Sequence, residues 1–155
     1  MRVLSLRQEL CLPISLDESW SFFSEPRNLA LITPPSLHLH PFGEVPESMY
    51  AGMIVTYQVQ PFPGLRSTWV TEITHVEKPV RFIDEQRLGP YRFWHHTHEF
   101  VSVPGGVRTV DTVRYALPFD PFSRLALPLV RRQLTAIFSY RAEALTKRFG
   151  TYIAP

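Results

Sequence analysis

An α+β fold, with a curved seven-stranded antiparallel sheet wrapped around one long C-terminal helix, is what this sequence predicts. Three observations carry that prediction. Residues 2–12 alternate in strand fashion, residues 37–117 form six further strand-like runs separated by short turns, and sustained helical spacing occurs only over 127–149. The short connectors demand antiparallel neighbours, because parallel pairing needs a crossover of about a dozen residues or more.

The first strand places Val3, Ser5, Arg7, Glu9 and Cys11 on one face and Leu4, Leu6, Gln8, Leu10 and Leu12 on the other, and Pro13 closes it. Ser15 followed by Glu18 forms a capping box, so a helix starts there and carries Leu16, Trp20, Phe22 and Phe23. Pro26 suits the first turn of a second short helix that runs to about Ile32, before Thr33-Pro34-Pro35 stops it. The six following strands fall near 37–43, 52–60, 66–76, 80–88, 91–103 and 107–117, with breaks at 45–48, 61–64, 77–79, 89–90 and 105–106. Leu127, Val130, Leu134, Ile137, Phe138, Leu145 and Phe149 then recur at helical spacing until Gly150. Pro128 marks either a first-turn position or a kink.

Composition narrows the function classes. A chain of 155 residues with 45% hydrophobic residues and 13% aromatics has the size and apolar content of one folded domain, 1–155. No apolar stretch approaches the roughly 18 residues of a membrane span, and MRVLSLRQEL lacks a signal-peptide apolar block, so the expectation is a soluble cytoplasmic protein with no integral membrane association. One cysteine, Cys11, excludes an intrachain disulfide and any multi-cysteine metal centre, and is expected to be a small buried apolar residue. The net charge of +2 is too balanced to imply a nucleic-acid partner. Six basic residues do cluster in 121–155 (Arg124, Arg131, Arg132, Arg141, Lys147, Arg148) and are expected on a solvated helix face. Nothing fixes an oligomeric interface, so a homodimer is left open.

One curved sheet has a single concave face to bury, and a single helix covering it tends to leave a cavity, here with an aromatic lining. The most specific stretches are Asp84-Glu85-Gln86-Arg87-Leu88-Gly89-Pro90, Trp94-His95-His96-Thr97-His98-Glu99-Phe100, Gly105-Gly106 and Asp111-Thr112-Val113-Arg114-Tyr115. Pro26-Arg27-Asn28-Leu29 and Ile32-Thr33-Pro34-Pro35 accompany them. With the element order, these resemble the helix-grip superfamily of START-like domains, pollen-allergen-like proteins and polyketide cyclase/dehydratases (SRPBCC), in its small bacterial ligand-binding branch. The resemblance spans nearly the whole chain and implies a helix-grip fold with no cofactor and no metal.

In 107–117 the odd positions Val107, Thr109, Asp111, Val113, Tyr115 and Leu117 face inward, which puts an acid on an apolar face where it needs a partner or a raised pKa. A two-residue Gly105-Gly106 turn sets His96 opposite Tyr115, His98 opposite Val113 and Phe100 opposite Asp111, so Trp94, His96, His98 and Phe100 share the concave face with Asp111 diagonal to His98. A three-residue Pro104-Gly105-Gly106 loop would reverse that parity. The Gly89-Pro90 turn allows either face for Asp84 and Gln86, while Trp69 reads as cavity wall or core and Tyr57 as core. The ligand-binding set is therefore Trp69, Asp84, Gln86, Trp94, His96, His98, Phe100, Asp111 and Tyr115, with Leu134 and Phe138 facing them from the helix.

Three functions fit. The first is a pocket for an apolar or amphiphilic small molecule (lipid, polyketide-like or aromatic) whose polar end the cluster orients. The second is a cyclase or dehydratase using His96 or His98, tuned by Asp111, as acid/base. The third is a protein-interaction module without a working cavity. His96-x-His98 with Asp111 has spacing that permits zinc, although the resemblance implies none.

Overall fold

The structure is a computed structural model, and it describes residues 2–119 and 121–155. Seven strands form one antiparallel sheet: β1 (Leu4–Leu12), β2 (His40–Phe42), β3 (Met53–Phe62), β4 (Leu65–Glu77), β5 (Arg81–Leu88), β6 (Phe93–Val103) and β7 (Gly106–Ala116), in the spatial order β1-β7-β6-β5-β4-β3-β2. From β2 to β7 every neighbour is a hairpin partner, as short connectors require, and only β1 joins by a long-range pairing, along β7.

Helix α1 (Leu16–Phe23) begins where the capping box places it, with the Ser15 hydroxyl accepting from the Glu18 N–H at 3.1 Å. Pro26–Ile32 is a 3₁₀ helix, not an α-helix, and Pro35–Leu37 adds a further 3₁₀ turn that leaves β2 only three residues. Helix α2 (Leu127–Phe149) takes Pro128 in its first turn, where the missing N–H costs nothing, and ends at Gly150 with φ +98°. No helix among the described residues is long and apolar enough to cross a membrane.

The hairpin between β6 and β7 corrects one expectation. Its turn is Pro104-Gly105, not Gly105-Gly106, so His96 faces Val113, His98 faces Asp111 and Phe100 faces Thr109. Proline with its fixed φ followed by Gly105 at φ +79° supplies the two central conformations of a type II turn. Gly106 answers a different need: a Cβ there would lie 2.1 Å from the Leu12 carbonyl oxygen on β1. The slip is two residues, so every side chain keeps its face. Trp94, His96, His98 and Phe100 are buried, as are Val107, Thr109, Asp111, Val113 and Tyr115.

Cys11 is half-buried on the outward face of β1 with Ser5, Arg7 and Glu9, and not the buried apolar residue expected. Two apolar clusters fill the concave side. One gathers Trp20, Phe22, Phe23, Phe82, Phe100 and Leu145, the other Trp94, Val113, Tyr115, Leu134 and Phe138, and Trp69 packs against both.

Candidate functional site

Between these clusters lies a cavity of about 190 Å³, walled by rings and aliphatic side chains that include Phe22, Phe23, Tyr57, Trp69, Tyr91, Trp94, Leu134 and Phe138. Asp84, His96, His98 and Arg141 reach it together as one polar cluster, and Glu25, Asn28, Thr33 and Thr71 also line it.

Strand pairing assembles that cluster. Asp84 on β5 stands opposite His96 on β6, and His98 stands opposite Asp111 on β7, so three adjacent strands each send a polar group to the same spot. His98 Nε2 donates to Asp84 Oδ2 at 2.6 Å, and His96 Nε2 donates to Asp111 Oδ1 at 2.9 Å, because an ionised carboxylate can only accept. The remaining ring nitrogens cross over: His96 Nδ1 lies 3.4 Å from Asp84 Oδ2 and His98 Nδ1 lies 3.1 Å from Asp111 Oδ1. The latter approach is too oblique for a formed hydrogen bond, so His98 Nδ1 is buried without one. From α2, an Arg141 guanidinium nitrogen reaches Asp111 Oδ1 at 3.4 Å while its Nε stays unbonded, and the cation rests over the rings of Phe23 and Phe138.

The imidazoles of His96 and His98 lie 3.7 Å apart between centroids, and Phe82 stacks on His98 at 4.1 Å. At this separation both rings cannot carry charge. Burial drives the His96 pKa down, helped by the charge on His98, and these outweigh the carboxylates. Burial pushes the same way at His98, but the carboxylates of Asp111 and Asp84 on either side of it win and raise it. Burial raises Asp111, yet the Arg141 charge and the two histidines hold it well below the usual carboxylate range. Asp84 is likewise lowered, burial being overcome by His96 and His98. The set thus joins two carboxylates and the Arg141 cation to two imidazoles whose pKa values are pushed apart, His98 up and His96 down.

Of the eleven residues expected at the site, seven line the cavity: Trp69, Asp84, Trp94, His96, His98, Leu134 and Phe138. Four do not. Asp111 lies behind the histidines. Phe100 sits in the core against Trp20, Phe23 and Phe82. Tyr115 packs on Tyr91 and Trp94. Gln86 braces its own hairpin, its amide accepting from the Tyr91 N–H at 3.2 Å and donating to the Tyr91 carbonyl at 2.6 Å.

Sequence reasoning missed Arg141, which it put on the solvated basic face; the residue is 7% exposed. The signal was present, since Leu134, Phe138, Arg141 and Leu145 follow one another at spacings of 4, 3 and 4 on one stripe of α2. Tyr57 belongs both to the core and to the cavity wall, its hydroxyl donating to the Pro26 carbonyl at 3.3 Å and its pKa pushed up by burial and by Asp84.

No family model matches the chain, and no curated protein matches it in sequence. Solved structures do. The protein TTHA0849 of Thermus thermophilus superimposes with a TM-score of 0.74 at 18% identity, over 94% of this chain and 97% of that one. The Zhui aromatase/cyclase of a Streptomyces species gives 0.74 at 11% identity, over 95% and 93%. Norcoclaurine synthase of Thalictrum flavum gives 0.65 at 15%, over 95% and 96%. With its seven-stranded curved sheet, short helical segments after β1 and long C-terminal helix, and by these superpositions, the chain has the helix-grip fold.

Proposed function

We propose that the chain binds a small, mostly apolar molecule bearing one oxygen-containing polar end, held in the cavity between the sheet and α2. The observation that carries this reading is a cavity lined mostly by rings and aliphatic side chains, into which one buried cluster of charged and imidazole groups, Asp84, His96, His98 and Arg141, reaches. Burial of ligand surface supplies affinity at roughly 25 cal/mol per Å², and the polar cluster sets orientation. At about 190 Å³ the space exceeds the roughly 150 Å³ that accommodates benzene in an engineered protein cavity, which favours a substituted single ring or a small bicycle over a long acyl chain. Trp69, Tyr91 and Trp94, with mutual centroid distances of 4.8–5.8 Å, offer edges and faces for such a ring. The existence of the cavity weighs against an interaction module without one.

Native mass spectrometry of the purified protein, followed by denaturing extraction, tests the reading directly. A stoichiometric aromatic or amphiphilic companion supports it. In titrations with the identified compound, Trp94→Ala weakens binding through lost wall, and His98→Gln changes selectivity or pH dependence more than affinity. Unchanged binding in both variants places the pocket elsewhere.

A second reading, a cyclase or dehydratase, is favoured by one observation: His98 and His96 each hydrogen-bond a carboxylate beside the cavity, an arrangement suited to moving a proton to and from a bound oxygen. The aromatase/cyclase of the same fold is consistent with it. Incubation of the bound compound with the protein separates the two readings: a chemically altered product establishes the enzyme, and an unaltered one the binder.

A further inference from the structure

We infer that Asp84, His96 and His98 form a binding site for a divalent transition-metal ion of the zinc or ferrous type, with its open side toward the cavity. The inference begins with which atoms face one another. Asp84, His96 and His98 each offer a ligand atom within 4.8 Å of the others, all three line the cavity, and Asp84 Oδ2 faces both His96 Nδ1 and His98 Nε2. Ligand atoms about 2.1 Å from a tetrahedral zinc ion are about 3.4 Å apart. The Asp84–His96 pair already stands at 3.4 Å, and the Asp84–His98 pair, at 2.6 Å, needs to open by the difference between a hydrogen bond and a shared ion.

A second, independent observation comes from the opposite side of the imidazoles. A histidine that ligates a metal almost always donates its other ring N–H to a carboxylate, a carbonyl or water, which fixes its tautomer. Here both outward nitrogens, His96 Nε2 and His98 Nδ1, face one oxygen of Asp111, at 2.9 and 3.1 Å. Asp111 does not line the cavity, and Arg141 stands next to it. The arrangement is that of a metal centre: three donors in front and a carboxylate behind them, its charge offset by Arg141, which itself reaches the cavity. The zinc set weighed from sequence, two histidines with Asp111 as third ligand, has the right residue types but gives the rear carboxylate the front one's role.

Two histidines and one carboxylate suit zinc or non-haem ferrous iron and leave one or more coordination positions free. Those positions face the apolar cavity, so an oxygen donor of the bound molecule, such as a phenolate, carboxylate or enolate, would complete the shell. That last identification rests on the ligand-binding reading; the metal site itself does not.

The full chain, stripped with a chelator, is titrated with Zn²⁺ by calorimetry and with Co²⁺ by visible ligand-field absorption. One ion per chain is expected, with a raised melting temperature by linkage. Asp84→Asn, which keeps the side-chain volume, is expected to lower affinity by more than the roughly 10–100-fold that loss of an outer-shell partner costs, and Asp111→Asn by about that factor with stoichiometry retained. His75→Ala, at an exposed histidine, is expected to change nothing. Melting curves without metal establish that each variant is folded, and His98→Gln replaces any variant that is not. Absence of Zn²⁺ and Co²⁺ binding overturns the site, as does an affinity unchanged in Asp84→Asn. Either result leaves apolar ligand binding, read by tryptophan fluorescence without metal, to stand or fall separately.

Discussion

The same two strands carry a histidine–carboxylate cluster on each face of the sheet. On the outer face His95 bonds Glu85 at 2.8 Å, and Arg87 pairs with Glu72 and Glu85; on the inner face His96 bonds Asp111 and His98 bonds Asp84. The residue types and strand pairing are alike, but the environments are not. The His95 and Glu85 side chains are 24% and 27% exposed, and water answers most of their field, so such pairs contribute about 0.2–1 kcal/mol. The inner histidines are 6% and 7% exposed, each charge must find a partner in the protein, and removing one partner leaves another stranded. The comparison teaches that burial converts a surface decoration into a tuned site of interdependent charges.

Four measurements test that contrast, from the largest effect down. Arg141→Met takes away the cation that offsets Asp111 and is expected to cost about 3–5 kcal/mol in urea unfolding; a cost below about 1 kcal/mol would mean the inner cluster is as well solvated as the outer one. Asp111→Asn keeps the shape but removes the charge facing both histidines, for about 1–3 kcal/mol by the same assay. A third test uses pH on the metal-free protein. Asp84 and Asp111 have folded pKa values below their unfolded ones, so their contribution is present above about pH 4 and is lost as pH falls through the lowered values. His98 is raised, so its contribution is complete below about pH 6.5 and is lost as pH rises through the folded value. Thermal melts from about pH 2 to 9 should show the alkaline loss in the parent and lack it in His98→Gln. Smallest of all, Glu85→Gln on the outer face should shift stability by no more than about 0.5 kcal/mol.

Much of the inner cluster was legible in the sequence. Asp111 stood out because period-two alternation put an acid among Val107, Val113 and Tyr115, and the same parity brought Trp94, His96, His98 and Phe100 to its face. The error in the turn did no harm, since a slip of two residues preserves the face while changing the neighbour. Asp84 was not legible in the same way. Its face follows from pairing with His96, and nothing local to Gly89-Pro90 decides that register. Arg141 was legible as a charge on the apolar stripe of α2, but a count of basic residues hid it.

The sequence by itself determined the order of the elements, the faces of β6 and β7, the cap of α1 and the stripe of α2, because each depends on a period or a side chain within a few residues. Only the tertiary structure decided that Asp84 and Asp111 lie on opposite sides of the imidazole pair, that Arg141 reaches Asp111 from the helix, and that Asp111 stands behind the cavity wall. Those facts depend on strand register and helix placement summed over the whole chain. The pKa directions follow in turn, since desolvation and charge contacts exist only once distant residues are packed together.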